Sequence, residues 1–495
     1  MLAWTVYSSF IGVAVLLFLP RDNAGLARAV ALATALVGLV LSVAGALTLG
    51  SAVSVVCKVP WIESLGVSYH LAVDGISLTL LLLTGIAAVA GILFSWNIAH
   101  RAKEFFAFYL ALIGGVYGVF LSFDLFLLFV FYELAIIPKY FLIAIWGSTN
   151  RSYGAMKLAL YSFVGSAMVL IGIIAAFVVA GGHTMDLAEL ARFPFPERFQ
   201  YWAFPLVFIG FAVLAGLWPF HTWAPTGHVA APTAASMLLA GVVMKLGAYG
   251  SLRVAMTLFP LGLKAWHTEV ALLAVIGIVY GALVALVQKD FKFVIGYSSV
   301  SHMGFVILGL CTLNAIGLSG AVLQMFSHGI IAGLLFGVVG RMVYDRTHTR
   351  DLNALEGMQL AKVLPFAAVT FVLASVASMG LPGFSGFVAE LQVLIGAWHA
   401  FPKLAIVAGV GILIGVAYTL RALQKAFFGD QSAHLSDATQ DHRHLARITL
   451  PERAGGLVLL ATSLAIGLYP RILLDLIVPS FGGPLFEGMR KAGIL

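Results

Sequence analysis

Apolar runs of about 20 residues recur along almost the whole chain and constrain its fold more than any other feature. A helix of that length spans the hydrocarbon core of a bilayer. Of the 495 residues, 61% are hydrophobic and only 10% are charged, more apolar surface than a soluble core can bury. The strands of an outer-membrane barrel would alternate in segments of only about 10 residues. The sequence therefore predicts an all-α polytopic membrane protein in contact with the lipid bilayer.

About fourteen such spans follow one another. They lie near residues 2–20, 27–49, 76–95, 105–123, 125–145, 155–180, 201–220, 233–258, 267–287, 293–311, 315–343, 363–398, 403–427 and 455–474. Loops after odd-numbered spans carry about twice as many Lys and Arg residues as the other loops, and such loops stay on the cytoplasmic side. Both termini are therefore predicted on the non-cytoplasmic side of a bacterial-type inner membrane or an equivalent energy-coupling membrane. The net charge of +7 is explained by this topology and indicates no nucleic-acid partner.

Two of the predicted spans are interrupted. The seventh runs into the segment 217–225 (LWPFHTWAP), and the twelfth contains the segment 379–386 (MGLPGFSG). Each break occupies the fourth position of a five-span block, spans 4–8 and spans 9–13, and the second block starts in the opposite orientation. Such a layout predicts an inverted repeat, in which paired broken helices point to transport sites. The alternative stays open that Pro and Gly are simply common in membrane helices.

These boundaries divide the chain into four parts. Residues 1–100 form an N-terminal three-helix segment, and residues 101–262 form the first repeat. Residues 263–430 form the second repeat, and residues 431–495 comprise a cytoplasmic loop and the last transmembrane helix.

Three charged residues lie in the middle of apolar spans, namely Glu133, Lys245 and Glu390. A charge at this depth costs several kcal/mol, so it usually faces a wet cavity or a partner. Burial and neighbouring charges shift the proton affinity of such groups in opposite directions, so a chain of them can exchange protons. The competing interpretation is a static buried ion pair that holds helices in register.

Four histidines extend this set with side chains that titrate near neutral pH: His221, His228, His302 and His328. For any single histidine, a hydrogen-bonded structural role is the competing interpretation. Asp74 lies at the start of the third span, where helix capping is the favoured role.

Several long motifs resemble one known family. They are FYELAIIP at 131–138, PFHTW at 219–223, the stretch from APT at 231–233 to KLGAYG at 245–250, GYSSVSHMG at 296–304, and LPG at 381–383. Together they cover about residues 60–475. On these motifs the chain resembles the antiporter-like membrane subunits of respiratory complex I, the proton-translocating NADH:quinone oxidoreductase.

The resemblance implies roles for individual residues. Glu133 matches the essential acid of the fifth span, and Lys245 matches the lysine of the eighth. Glu390 matches the exit-side acid of the twelfth span, and His302 and His328 match the linking histidines. The chain is then one subunit of a translocating oxidoreductase, with other membrane subunits, including antiporter-like neighbours, as partners.

Redox cofactors are expected on those partner subunits. The sequence has no GxGxxG dinucleotide fingerprint and no Cys/His spacing typical of a metal site. NADH, flavin, iron–sulfur clusters and quinone are therefore expected to bind elsewhere, and no cofactor or metal is expected on this chain.

One departure from the family concerns the seventh span. The family places a lysine before the break, whereas this chain has Leu214. Lys139 is a candidate substitute, but six residues on a helix rotate by about 240°, so direct pairing with Glu133 is not expected without a bend. A headgroup or subunit contact for Lys139 is an open alternative. Two other functions also stay open: a subunit of a multisubunit cation/proton antiporter or membrane-bound hydrogenase, or a scaffold subunit whose pumping is impaired by Leu214.

Overall fold

The computed structural model describes residues 1–20, 23–429 and 445–495, and these are almost entirely helical. In chain order, helices α1 to α17 are Ala3–Phe18, Ala24–Thr48, Gly75–Phe94, Ala102–Leu121, Leu125–Trp146, Arg151–Val179, Glu197–Ala215, Trp223–Ala230, Thr233–Met256, Pro260–Val287, Phe291–Cys311, Ala315–Thr347, Pro365–Ser378, Ser385–Ala400, Pro402–Phe427, Leu450–Leu468 and Arg471–Ser480. Short helical turns at Leu187–Leu190, Leu352–Glu356, Leu360–Val363 and Glu487–Lys491 connect them. Much of the predicted cytoplasmic loop after span 13 lies outside the described residues.

Eleven of the described helices are long and apolar enough to cross a membrane, and the pair α16–α17, bent by 68°, gives up to a twelfth. The first predicted span, α1, has only 16 residues, and the twelfth is divided into α13 and α14. The multi-span helical membrane fold is thus confirmed, whereas the count of fourteen stays a prediction.

Both predicted interruptions are present in the structure. Helix α7 ends at Ala215, and α8 begins at Trp223; α13 ends at Ser378, and α14 begins at Ser385. The residues that turn the backbone are Gly216, with φ of 82°, and Gly380, with φ of 73°. Glycine adopts this left-handed region without the steric cost that a Cβ would add. The inverted relation between the two five-span blocks stays a prediction.

A β-hairpin lies between α2 and α3, where the sequence predicted only a connection. Its strands, β1 (Ser54–Ile62) and β2 (Val67–Val73), are antiparallel. The hairpin is a small local addition to a fold that is otherwise helical throughout the described residues, as predicted. Hydropathy averaged over about 20 residues detects membrane spans and does not resolve strands of nine and seven residues.

Asp186 anchors the hairpin to the helical body. Its Oδ2 atom lies 2.8 Å from Nζ of Lys58 on β1 and 2.8 Å from Nδ1 of His70 on β2. Its Oδ1 atom accepts hydrogen bonds from the backbone N–H groups of Ala188 and Glu189. Burial opposes ionisation of this carboxyl, but the hydrogen bonds and charges of His70 and Lys58 outweigh it and lower the pKa of Asp186. We refer to this end of the helical body as the hairpin face.

The opposite face is marked by an ion pair between Asp290 and Arg350, with 3.2 Å between the carboxylate and guanidinium atoms. Helices α9 and α12 run between the two faces, and the apolar window of each is 100% buried. The windows of α2 and α15 are only 28% buried, so these helices form part of the outer layer. Side chains in the apolar windows of α9 and α12 are therefore shielded from lipid by the rest of the chain.

We predict that Asp186→Asn lowers the free energy of unfolding by about 1.5–3 kcal/mol at pH 7, because hydrogen bonds to a charged group are lost. The native pKa of Asp186 is lowered, so its stabilisation is complete above the ordinary carboxyl pKa of about 4 and disappears as the pH falls through the native value. Thermal unfolding in detergent at several pH values measures the difference.

The exposed Asp475, changed to Asn, is the control for this measurement. An equal loss of stability at pH 7 in both variants would contradict the anchoring role of Asp186.

Candidate functional site

A row of titratable side chains crosses the centre of the chain, and it begins at Lys245 on α9. Lys245 is fully buried. Its Nζ atom lies 2.7 Å from Nδ1 of His328 and also donates to the backbone carbonyl of Ala240. Ala240 belongs to a π-helical segment, Leu239–Val243, and such irregular turns inside helices often occur at functional sites. The buried ammonium group of Lys245 therefore has two hydrogen-bond partners inside the protein.

The row continues from His328 on α12 to Glu390 on α14. The ring centroids of His328 and His302 are 5.5 Å apart. Nδ1 of His302 lies 2.8 Å from Oε1 of Glu390, and Nε2 of His302 lies 3.2 Å from the hydroxyl of Ser378. Gln324 donates a further hydrogen bond of 3.1 Å to the same carboxylate oxygen. The structure thus brings together four of the predicted site residues, from three helices besides α9.

A small cavity of about 10 Å³, roughly the room for one water molecule, lies at the Glu390 end of this row. Its lining includes His302, His328 and Glu390 together with the hydroxyls of Ser298 and Ser378. Hydroxyl and imidazole groups can both donate and accept hydrogen bonds, so they can pass a proton without a net change of their own charge. The cavity can therefore support proton exchange between the histidines and the acid.

Glu133 and Lys139 lie on α5, apart from this row. Oε1 of Glu133 and Nζ of Lys139 are buried and have no hydrogen-bond partner in the described part of the chain. Ser166 of α6 lies beside the Glu133 carboxylate. Lys139 is only 1% exposed, so the alternative of a headgroup or subunit contact is wrong.

His221 lies outside the row. Its ring is near Tyr280 and Tyr297, with centroid distances of 5.2 and 6.4 Å. Neither ring nitrogen has a hydrogen-bond partner among the described residues. The structure therefore does not join His221 to Lys245 or Glu390 by direct contact.

Leu214 is buried on α7, where that helix packs closely against α9. A Cβ added to Gly247 of α9 would lie only 2.4 Å from the carbonyl oxygen of Phe211 and 3.0 Å from the carbonyl carbon of Leu214. The two backbones therefore touch just beyond Lys245 in the sequence. Helix α7 itself is held at the break by Trp223, whose indole N–H donates to the Val213 carbonyl at 2.8 Å.

A second buried charge cluster was not assigned from the sequence. Arg253 of α9 is fully buried and forms an ion pair with Asp74, which also caps α3 by accepting from the backbone N–H of Ser77 at 2.9 Å. Nε of Arg253 donates to the hydroxyl of Tyr249 at 3.2 Å. The predicted capping role of Asp74 is present. The sequence feature that could have indicated this pair is the position of Arg253, two helical turns after Lys245 in one apolar run.

No group of three or more His, Cys, Asp or Glu side chains in the described ranges is arranged to hold a metal ion. The placement of flavin, iron–sulfur clusters and quinone on partner subunits stays a prediction.

Together, the helical fold and the buried titratable row define a multi-span membrane protein with a row of titratable groups in its interior. Residues 122–415 match the family model described as "NADH:quinone oxidoreductase/Mrp antiporter, TM". The chain belongs to this family.

Curated relatives extend the similarity over most of the chain. NADH-quinone oxidoreductase subunit M of Rhodobacter capsulatus is 39% identical over 433 residues, covering 85% of this chain and 82% of the relative. The subunit M of Pseudomonas aeruginosa is 38% identical over 437 residues, covering 86% and 84%.

Solved structures show the same fold. A chain of respiratory complex I from Thermus thermophilus, at 27% identity, superimposes with a TM-score of 0.89 over 100% of both chains. A chain of the Mrp complex from Dietzia sp., at 24% identity, gives a TM-score of 0.87 over 100% of this chain and 98% of the other.

We predict that Gly380→Ala disturbs the environment of Glu390. An added Cβ would lie 3.1 Å from Oε2 of Glu390. In addition, alanine in the left-handed region costs about 1–2 kcal/mol. We expect reduced thermal stability and a shifted infrared carboxyl band of Glu390, assigned by its loss in Glu390→Gln.

Gly383→Ala is the matched control, because Gly383 has φ of 101° but no atom near the position of an added Cβ. It should lose similar stability and leave the Glu390 band in place. If the Glu390 carboxyl band shifted in both variants, or in neither, the predicted effect of the contact between position 380 and the Glu390 carboxylate would be contradicted.

Proposed function

We propose that this chain is a proton-translocating membrane subunit of a complex I-type NADH:quinone oxidoreductase. The observation that carries the proposal is the buried row from Lys245 through His328 and His302 to Glu390. A static ion pair would need only two of these groups, whereas the row contains four titratable groups in sequence. The names of the curated relatives support this function.

In this proposal, protons move along the row and electrons move on other subunits. NADH, flavin, iron–sulfur clusters and quinone supply the redox chemistry on those partner subunits. When charged, Lys245 donates a proton to Nδ1 of His328, and the imidazole releases the proton on its other nitrogen. His302 then passes a proton to Glu390, and hydrogen bonds from Gln324 and Ser378 orient this last pair.

Glu133 and Lys139 form the first half of the proposed path. Both carry a buried polar atom without a hydrogen-bond partner among the residues that the structure describes, so each requires water or a moving partner. We propose that Lys139 supplies the positive charge that modulates Glu133, since the position that carries a lysine in the related family is Leu214 here. His221, whose ring nitrogens have no hydrogen-bond partner among the described residues, would contribute through water at the α7–α8 break.

The arrangement also suggests how the chain lies in the membrane. We infer that the opposite face, with Asp290 and Arg350, is cytoplasmic, because the predicted cytoplasmic loops are rich in Lys and Arg. The hairpin face and both termini then lie on the non-cytoplasmic side of the inner membrane. The proposed domains are 1–100, 101–262, 263–430 and 431–495, and the boundary between the two repeats falls in the first turn of α10.

The competing function is a scaffold subunit that has lost pumping. The close packing of Leu214 at the α7–α9 contact is the observation that favours it. The buried Lys245 and Glu390 count against it, because a scaffold gains nothing from ionisable groups in the hydrocarbon region. An antiporter or hydrogenase module is a further alternative, which identification of the co-purifying subunits would decide.

We predict that Glu133→Gln reduces proton transport per electron to about a tenth or less, because the amide cannot accept a proton. The complex should still assemble and reduce quinone. Acidification of vesicles that contain the assembled complex measures the transport. Unchanged coupling would favour the scaffold function.

We further predict that Lys245→Ala impairs proton transport more than Lys139→Ala. Lys245 contacts the next member of the row, whereas Lys139 has no hydrogen-bond partner within residues 1–20, 23–429 and 445–495 and would act through its charge. Protons transported per electron in the two variants give the comparison. A larger loss in Lys139→Ala would make Lys139 the essential lysine of this chain.

A further inference from the structure

A cavity opens at the hairpin face, where α7 and α10 begin. Its volume is about 330 Å³, far more than the roughly 10–15 Å³ that one water molecule needs. Apolar residues of the loop before α7 and of the start of α10 form part of its lining, among them Phe193, Phe195 and Leu261. Residues of the short helical turn Glu487–Lys491 complete the lining. We refer to this cavity as the α7–α10 pocket.

The charged residues of the α7–α10 pocket are mainly basic. Arg192 and Lys491 belong to its lining. Lys264 lies beside it, with Nζ 3.4 Å from the carbonyl oxygen of the lining residue Ala492. Among the described residues that line the pocket, the acid is Glu487. This excess of positive charge is notable on the hairpin face, because the basic residues of the chain concentrate in the loops predicted on the other side.

The basic side chains of the pocket are accessible to a ligand. The exposed fraction of the side chain is 59% for Arg192 and 76% for Lys491. Oε1 of Glu487 lies 2.8 Å from Nζ of Lys491, whereas its Oε2 atom lies 4.0 Å from Nε of Arg192. A distance of 4.0 Å is too long for a hydrogen bond, so this carboxylate does not occupy the donors of the Arg192 guanidinium.

Aromatic side chains next to the pocket indicate its depth in the membrane. On α7, Tyr201 is 42% exposed and Trp202 is 65% exposed. On α10, the indole N–H of Trp266 donates to the Tyr201 carbonyl at 2.9 Å. Exposed Trp and Tyr side chains are typical of the boundary between hydrocarbon and headgroups. Trp266 lies five residues beyond Leu261, about 8 Å along the helix. The pocket therefore lies within the headgroup layer, which is about 5–8 Å thick on each side of the hydrocarbon core.

The depth, the charge and the apolar lining favour one kind of ligand. A phospholipid phosphate can accept charge-assisted hydrogen bonds from Arg192 and Lys491. Its acyl chains can follow α10, whose apolar window is only 50% buried inside the chain. We propose that the α7–α10 pocket binds the headgroup of an anionic phospholipid from the leaflet on the hairpin face. Basic pockets at the ends of membrane helices recognise such headgroups by the same chemistry.

Glu487 determines how selective the pocket is. In the free pocket its carboxylate neutralises Lys491, and a bound phosphate competes with it for the same ammonium group. A zwitterionic phospholipid carries a second, positive group that the basic residues repel, so it gains less than an anionic phospholipid. The pocket therefore prefers anionic phospholipids, and removal of the Glu487 charge strengthens that preference.

The test uses the assembled complex in vesicles of phosphatidylcholine that contain a small fraction of photoactivatable lipid. The probe is either phosphatidylglycerol or phosphatidylcholine with the same reactive group, and mass spectrometry measures labelling of residues 191–202 and 258–266. We expect phosphatidylglycerol to label these segments about fivefold more than phosphatidylcholine. The double variant Arg192→Gln/Lys491→Gln should reduce the labelling to the level of phosphatidylcholine. Equal labelling by both lipids, absence of labelling by either, or undiminished labelling in the double variant would overturn the proposal.

A second double variant controls for surface charge in general. Lys403 and Arg471 are also exposed and do not line the pocket, so Lys403→Gln/Arg471→Gln removes the same charge elsewhere. It should keep the preference for phosphatidylglycerol, and loss of the preference in this variant as well would contradict a specific site.

Two further measurements distinguish a lipid from other anions. Glu487→Gln, which removes the competing carboxylate, should increase labelling by phosphatidylglycerol, and a decrease would contradict the competition. Excess inorganic phosphate at constant ionic strength should leave the labelling unchanged. Displacement of the phosphatidylglycerol probe by phosphate would assign the pocket to a soluble anion and overturn the lipid site.

Discussion

An ionisable side chain inside the hydrocarbon thickness needs a polar partner, and this constraint governs the arrangement of the central helices. Lys245 meets it with one backbone carbonyl and one imidazole. The carbonyl is that of Ala240, in a segment where π-helical hydrogen bonding interrupts the regular ladder. The imidazole is that of His328, on a helix whose apolar window is completely enclosed by the rest of the chain. The outer helices, which present apolar surface to lipid, make that enclosure possible.

The two broken helices use their interruptions differently. At the α7–α8 break, the indole of Trp223 satisfies the Val213 carbonyl, so the break is stabilised from within. At the α13–α14 break, Gly380 approaches the carboxylate of Glu390 closely enough that a larger residue would press on it. Ser378, the last residue of α13, completes the hydrogen bonding of His302. The second break is thus part of the site, whereas the first mainly sets the direction of the backbone.

Much of this could be predicted from the sequence, because apolar run length, Pro–Gly breaks and mid-span charges are local features. The hairpin of β1 and β2 could not be predicted in this way, because hydropathy averaged over about 20 residues does not resolve strands of this length. The contacts along the row depend on which faces of four helices meet, and helix periodicity alone does not determine that. The same limit explains Lys139, whose burial depends on neighbouring helices, and Arg253, whose partner Asp74 is 179 residues away in the sequence.

The two halves of the proposed path differ in how completely their polar groups are satisfied. From Lys245 to Glu390, each neighbouring pair is joined by a hydrogen bond or by adjacent rings, so this half is preorganised in the folded chain. On α5, by contrast, Glu133 and Lys139 each leave a buried polar atom without a partner in the described ranges of the chain. Unsatisfied buried charges are costly, so they favour water penetration or movement of a nearby charge. A preorganised half transmits protons with little rearrangement, whereas an unsatisfied half responds to changes in its surroundings. We therefore propose that the α5 side couples the chain to events on other subunits and that the row transmits the protons.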